Sequence, residues 1–351
     1  MAYTGASTID VSKAAYEQMA YFALRPQMLY DALCDVEPTR QTQPGTSVQF
    51  TIFSDLAPAS GTLAESTDVT PVALSDSTVV VTLAEYGNAV LSTAKLRGTS
   101  FIQIDPVFGD ILGYNAGISI DSAVRGVVAV GTNVWYSAGQ GATAAQIATA
   151  QTNARGGIST SSAAGSLLSS ADILTVQKKM RANNVQPFGS YYGAVIHPSV
   201  AYDLQNETAN AITAWRTPHN YSDPADIWAG ELGEYLGFRF IESPRAPVFG
   251  GVSGGQFSGG AYSGSGTTTV FATLCMGRQA IAKAYSIVDG NSAYPHLVDS
   301  PVTDALRRFV GWGWYWLGGY SIFRQASLWR IESAATLGDI DPTGLPNVDE
   351  Q

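Results

Sequence analysis

Apolar residues change their period several times along the 351-residue chain, and each change marks an element. Helical spacing runs from a cap at Asp10 or Ser12 to Leu24, where Arg25-Pro26 interrupts it. Met28, Leu29, Leu33 and Cys34 continue the apolar stripe, so the first 36 residues read as an amphipathic arm that packs on its own domain or reaches a neighbour. Residues 46–55 and 77–86 then alternate with period two. Val48, Phe50 and Ile52 share one face of the first run, and Val79, Val81 and Leu83 one face of the second. The stretch between them is too polar for a core, and the two runs together predict a long two-stranded arm, marginal in water without a surface to lie on. Residues 88–97 suggest a further strand. Asp105-Pro106 opens a long helix that ends near Gly131. Gly109, Gly113 and Gly117 recur along it as a stripe of small residues over which another backbone can approach, at the cost of an expected bend.

Residues 191–243 predict a compact α/β module. Tyr192 to Ile196 is a short β-branched and aromatic run, and Pro198 after His197 starts a helix over residues 199–206. A polar connection leads to a second short helix, whose end is marked by Gly233 and Gly237, and then to a strand with Phe238 and Phe240 on one face. Residues 170–184 form a helix with Lys178, Lys179 and Arg181 at its favourable end. Residues 132–170 and 243–269, rich in small and polar residues, read as surface excursions. Strands return at TTTVFATLCMG and AIAKAYSIVDG. They return finally over residues 304–333, where Trp312, Trp314 and Trp316 stand on one face, Gly318-Gly319 is a turn signal, and residues 322–331 read as the returning strand of a hairpin.

Composition narrows what such a chain can do. It is 45% hydrophobic but only 14% charged, well below the usual quarter, so little charged surface keeps copies apart. The formal charge of −10 disfavours sequence-independent grip on nucleic acid. The N-terminus MAYTGASTID lacks the basic and apolar regions of a secretory signal, and no removed leading segment is expected. No run reaches membrane-span length. Cys34 and Cys275 lie far apart and read as reduced structural thiols, which fits synthesis in a reducing cytoplasm.

Catalytic chemistry is hard to find. Gly251 to Gly255 matches the G-x-S-x-G elbow around Ser253, but Gly and Ser recur there without the flanking strand and helix the elbow requires. His197 reads as a strand-end residue, and His219 and His296 as loop residues, with no metal-ligand spacing. Carboxylates are scattered, so no acid/base pair can be named. The expectation is no enzymatic turnover, no cofactor and no metal. Trp312, Trp314 and Trp316 could offer a platform for a sugar, as in a β-rich glycan-binding protein or glycan enzyme, against the plainer reading of an aromatic sheet face under a helix or a neighbouring subunit.

The phrases IHPSVAYDL and GELGEYLGFRFIES, and the order of parts, resemble the tailed-phage major capsid protein with the Hong Kong 97-type fold, shared with encapsulins. The resemblance implies an α+β subunit with an N-terminal arm over residues 1–40, an extended β-hairpin loop over 41–86, and a peripheral domain over 87–131 and 285–351. A spine helix over 105–131 with a peripheral β-sheet would build that domain, and an α/β axial domain would occupy 132–284. It implies self-assembly into hexamers and pentamers of an icosahedral shell around double-stranded DNA, enclosed but not tightly bound. The location implied is the virion after assembly in a bacterial host's cytoplasm, with no membrane and with room for separate scaffold, portal and decoration proteins. An encapsulin-like compartment for protein cargo is the alternative on the same fold. Residues 41–86 contain no lysine, so the covalent chainmail that some members form through a loop lysine would lack its nucleophile. The same segment holds the acids Asp55, Glu65, Asp68, Asp76 and Glu85 without a base. It needs a positive or apolar landing surface, and Arg97, Arg125, Arg307 and Arg308 are the candidates, against the alternative that they bind carboxylates of their own subunit.

Overall fold

The computed structural model describes residues 29–36, 46–53, 56, 71–99, 104–137, 143–154, 167–206, 231–249, 270–286, 292–299, 306 and 308–335. The first helix of the arm, Ser253, His219 and the segment before Glu231 lie outside them. Two larger sheets and a projecting hairpin organise the chain around one helix.

The hairpin pairs β2 (Ser47–Phe53) with β3 (Asp76–Thr82), and the register sets Val48 opposite Val81 and Phe50 opposite Val79, so the apolar faces expected from the alternation meet. Its base packs on Ala282 and Ala284, and its outer side chains stay exposed. Strand β4 (Ala84–Thr93) starts earlier and ends earlier than expected, and the chain turns directly into helix α1 (Ala94–Thr99), which carries Arg97. Helix α2 (Ile104–Ala129) follows as expected, about 39 Å long at 1.5 Å per residue over 26 residues. Gly109, Gly113 and Gly117 are buried, so the small stripe faces the protein.

The five-stranded sheet runs β1 (Asp35–Val36), β11 (Ile281–Tyr285), β13 (Phe309–Ile322), β12 (His296–Asp299), with β4 also paired to β13. Three expectations are corrected here. His296 begins a strand opposite Tyr315 instead of lying in a loop. Gly318-Gly319 makes no turn, because β13 runs straight through both glycines. A Cβ on Gly319 would collide with the Thr82 carbonyl, and one on Gly318 with the Trp316 ring, so close packing, not reversal, requires glycine there. The expected returning strand is β14 (Leu328–Ser333), which leaves for the other sheet.

That second sheet has seven strands in the order β5 (Val134–Tyr136), β14, β10 (Val270–Met276), β6 (Tyr192–Ile196), β8 (Phe238–Glu242), β7 (Glu231–Tyr235), with β9 (Val248–Phe249) beside β10. β5 shows that the excursion after Thr132 begins as a sheet strand, parallel to β14, before helix α3 (Ala144–Ala154). Glu231 to Tyr235 is a strand, not a helix end. Leu236 and Gly237 have φ of 49° and 77°, the two positive values of a type I′ turn, and close a tight hairpin onto β8. Helix α4 (Ser170–Ala182) is held by a capping box between Ser169 and Asp172. In α5 (Pro198–Gln205) proline stands at the first turn, and the His197 Nδ1 caps the Ser199 amide.

β10 divides the core by its alternation. Phe271 and Cys275 point to one cluster with Ile173, Val176 and Val200 from the two helices α4 and α5, while Leu274 and Met276 face a second with Leu112, Ala116, Ile120, Val124 and Val128 of α2. The same second cluster takes Trp312, Trp314 and Trp316 from the five-stranded sheet. One helix thus closes both sheets, and among the described residues the chain passes between them three times: through that helix from β4 to β5, and by short crossings at residues 277–280 and 323–327. The sheet pairings therefore place residues 281–285 with the five-stranded sheet and 328–333 with the seven-stranded one, on opposite sides of the expected boundary at residue 285.

Candidate assembly surface

The chemistry-bearing residues fall into an internal set that fixes the fold and an external set nearer the surface. Asp31 is 7% exposed and accepts from Lys283 Nζ at 2.6 Å and from the Tyr320 hydroxyl at 2.7 Å. Lys283 lies among the rings of Tyr294, Trp316 and Tyr320. Burial and the Asp31 carboxylate push the Tyr320 hydroxyl well up. Asp121 of α2 accepts from the Leu29 and Tyr30 amides and pairs with Arg245 at 3.1 Å, and burial raises its carboxyl. Residues 29–36 of the arm are thus pinned to their own subunit from two sides. Sequence periodicity could not show this, because each lock joins residues far apart in the chain.

Arg125 is 4% exposed and donates to the Arg245 carbonyl at 3.2 Å. It is therefore buried inside its own subunit and offers no exposed landing surface, its contact here being a backbone carbonyl. Arg330 is also internal. It donates to the Ala129 and Gly131 carbonyls at the end of α2 and pairs with Glu332 at 3.0 Å. The three indoles are closed off as well. Trp314 Nε1 donates to Asn115 of α2 at 2.9 Å and Trp316 Nε1 to the Ser292 carbonyl at 3.1 Å, and all three rings are under 10% exposed. This removes them as a sugar platform in favour of the covered aromatic face.

The external set separates by sign along one ladder. Glu85 stands opposite Leu317 at one end of the β4–β13 pairing, and Thr93 opposite Phe309 at the other. Arg97 follows Thr93 within one helical turn, and Arg308 precedes Phe309, its carbonyl accepting from the Ala94 amide at 2.7 Å. Eight residues of strand place Glu85 about 27 Å from the basic end. Asp76 is exposed at the far end of the β2–β3 ladder. Asp55, Glu65, Asp68 and Arg307 lie outside the described residues.

Exposed apolar side chains accompany both ends. Phe53, Val72, Leu74 and Val80 line the hairpin; Leu91, Leu96, Leu306 and Phe309 surround Arg97 and Arg308. The register puts Leu91 and Phe309 on the sheet face opposite the indoles. Local sequence patterns do not show this patch, because its members come from two stretches, residues 91–97 and 306–309, far apart in the chain. Among the described residues no group of three or more His, Cys, Asp or Glu could hold a metal, and no helix is long and apolar enough to cross a membrane.

Comparison with known proteins agrees with this architecture. A family model described as phage capsid protein matches residues 7–337. Comparison with curated proteins gives no match. Among solved structures, the cyanophage Pam1 capsid superposes with a TM-score of 0.61 at 18% identity, over 90% of this chain and 93% of that one. The capsid of Ralstonia phage GP4 gives 0.61 at 17% identity, over 90% of each chain. The SrpI encapsulin of Synechococcus elongatus PCC 7942 gives 0.51 at 8% identity, over 87% of each. At these identities the structural likenesses show a shared fold.

Proposed function

The chain belongs to the phage capsid protein family, and from that premise we propose that it is the major capsid protein, self-assembling into an icosahedral shell around double-stranded DNA. One observation carries the mechanism: the acidic and apolar hairpin and the basic and apolar end of the β4–β13 ladder are two complementary surfaces of one subunit, and Glu85 is about 27 Å from the arginines. Two different patches that match each other make a head-to-tail contact, which closes into rings when the rotation permits. The hairpin of each subunit lies across Arg97, Arg308 and the neighbouring Arg307 of the next. Hexamers and pentamers of such rings complete the shell, assembled in the bacterial cytoplasm with scaffold, portal and decoration proteins as separate partners. Residues 1–40 serve as the arm, 41–86 as the extended loop, α2 as the spine and the seven-stranded sheet as the axial unit. The protein works by shape and without turnover, so Ser253→Ala and His219→Ala should leave assembly unchanged. An encapsulin-like compartment shares the fold, but the family match favours a phage shell.

The test is negative-stain microscopy of the purified protein, with nucleic acid measured in native particles. Closed shells containing DNA are expected, and shells that hold protein cargo instead would favour the compartment. Arg307→Glu with Arg308→Glu should leave the subunit folded by circular dichroism yet impair assembly, with partial rescue by Asp76→Lys and Glu85→Lys. Normal assembly of the arginine double variant would remove the proposed contact.

A further inference from the structure

The turns by which the chain crosses between its two sheets bring together cations that the assembly surface does not use. Arg278 lies on the crossing from β10 to β11, and its amide donates to the Gln186 carbonyl at 2.8 Å. Arg324 lies on the crossing from β13 to β14 and donates to the Asn183 and Asn184 carbonyls at 2.9 and 3.4 Å. Both therefore adjoin the end of α4, where Lys178 and Arg181 stand three residues apart on one helix face. Lys178, Arg181 and Arg278 are exposed and Arg324 is half-buried.

Two features of this patch decide its partner. The segments that build it, residues 173–202, 270–288 and 309–331, contain no Asp or Glu, although the whole chain carries −10. At the rim, Glu234 stands opposite Arg239. The loops also offer no large exposed apolar side chain. Val185 is buried, Phe188 and Phe323 are half-buried, and Asn183, Asn184, Gln186 and Gln279 fill the exposed positions, with Leu174 one turn away at the border. A protein interface has an apolar core, as the Leu91 and Phe309 region does. Cations set among amides without such a core match a phosphate backbone, which is held by Lys, Arg, Asn and Gln with no reading of bases.

We propose that this seam is a sequence-independent site for the phosphate backbone of duplex DNA. It rests on the capsid reading and deepens it: a shell that repels the genome through its overall charge holds it locally at one weak site per subunit. Four cations limit the grip. With a salt slope of about 0.9 per neutralised phosphate, affinity should fall as roughly the third or fourth power of salt concentration.

The experiment is fluorescence anisotropy of a labelled 30-base-pair duplex with the full-length protein across a salt series. Expected are salt-dependent binding, a loss of at least about tenfold on Arg181→Glu with Arg278→Glu, and a slope lower by about two. Arg181→Gln with Arg278→Gln, checked by circular dichroism, gives a milder pair with a smaller loss in the same direction. The proposal is overturned if the wild type does not bind, if binding ignores both pairs, or if the patch takes a peptide of residues 41–86 in place of DNA. Shells that form while DNA binding is absent would sink this site alone, whereas absence of shells would sink the capsid reading.

Discussion

At the scale of single residues, buried charges such as Asp31, Asp121, Lys283, Arg330 and Glu332 are met by partners, and that makes their removal costly. Lys283→Met would leave the Asp31 carboxylate buried against Tyr320 alone, a loss of about 3–5 kcal/mol as for other broken buried pairs. Adding Asp31→Leu should return part of that loss, so urea unfolding of both variants should show non-additivity. His197 is the titrating residue whose effect has a defined pH window. Burial lowers its imidazole from 6.5 to about 4, so the folded state keeps it neutral. Below pH 6.5 the unfolded chain binds a proton that the folded chain refuses. The neutral-imidazole contribution is therefore complete above 6.5 and is lost as pH falls towards 4, by roughly 3 kcal/mol at most. His197→Asn keeps a good helix cap and removes the titration. Its unfolding midpoint should change less than the wild type's between pH 6.5 and 4, and equal pH dependence would show that His197 is not the group responsible.

At the scale of elements, glycine was the residue most open to misreading. Gly318-Gly319 and Gly233 with Gly237 all suggested chain reversal or helix ends. The first pair instead lies flat under Thr82 and Trp316, while Gly237 does make a turn, between strands. Local sequence cannot tell these apart, since a glycine required by φ and one required by a neighbour's backbone look alike. The prediction is that Gly319→Ala destabilises by about 2 kcal/mol or more, because its Cβ meets backbone that cannot move aside, whereas Gly98→Ala in α1 meets nothing within 4 Å and should be neutral or slightly stabilising. Thermal unfolding of both variants checks the contrast. What was legible rested on period and caps. The shared faces of β2 and β3, the long helix, the start of α4 at Ser170 and the shared face of the three tryptophans follow from local patterns. The division of β13 and β14 between two sheets does not, because it is settled by pairings between residues far apart in the chain. The burial of Arg125 was missed for the same reason, its partner Arg245 being 120 residues away.

At the scale of the molecule, a subunit with few charges and two open apolar patches is built for company. Covalent linkage need not supply it: residues 41–86 contain no lysine, so boiled and reduced particles should run as a single monomer band, and a ladder of multimers would show a cross-link of another kind. The non-covalent contact should then divide into two parts that salt separates. Half-buried Arg97 and exposed Arg308 act at the rim, where ion pairs contribute about 1 kcal/mol or less and are screened within about 10 Å at 0.1 M salt. Leu91 and Phe309, 71% and 45% exposed in the isolated subunit, contribute through area removed from water, at about 25 cal/mol per Å², which salt does not screen. Leu91→Ser with Phe309→Ser should accordingly block shell formation at every ionic strength while leaving the subunit folded, since neither side chain belongs to the core on α2. Arginine reversal should impair assembly most at low salt, where repulsion between like surfaces is strongest, and less as salt rises. Light scattering of assembly across a salt series distinguishes the two behaviours. If the serine variant assembled as the wild type does, the exposed sheet face would not be part of the contact. The hairpin would then have to land elsewhere on its neighbour, with its acids meeting some other cation and its Phe53 and Val80 some other apolar ground.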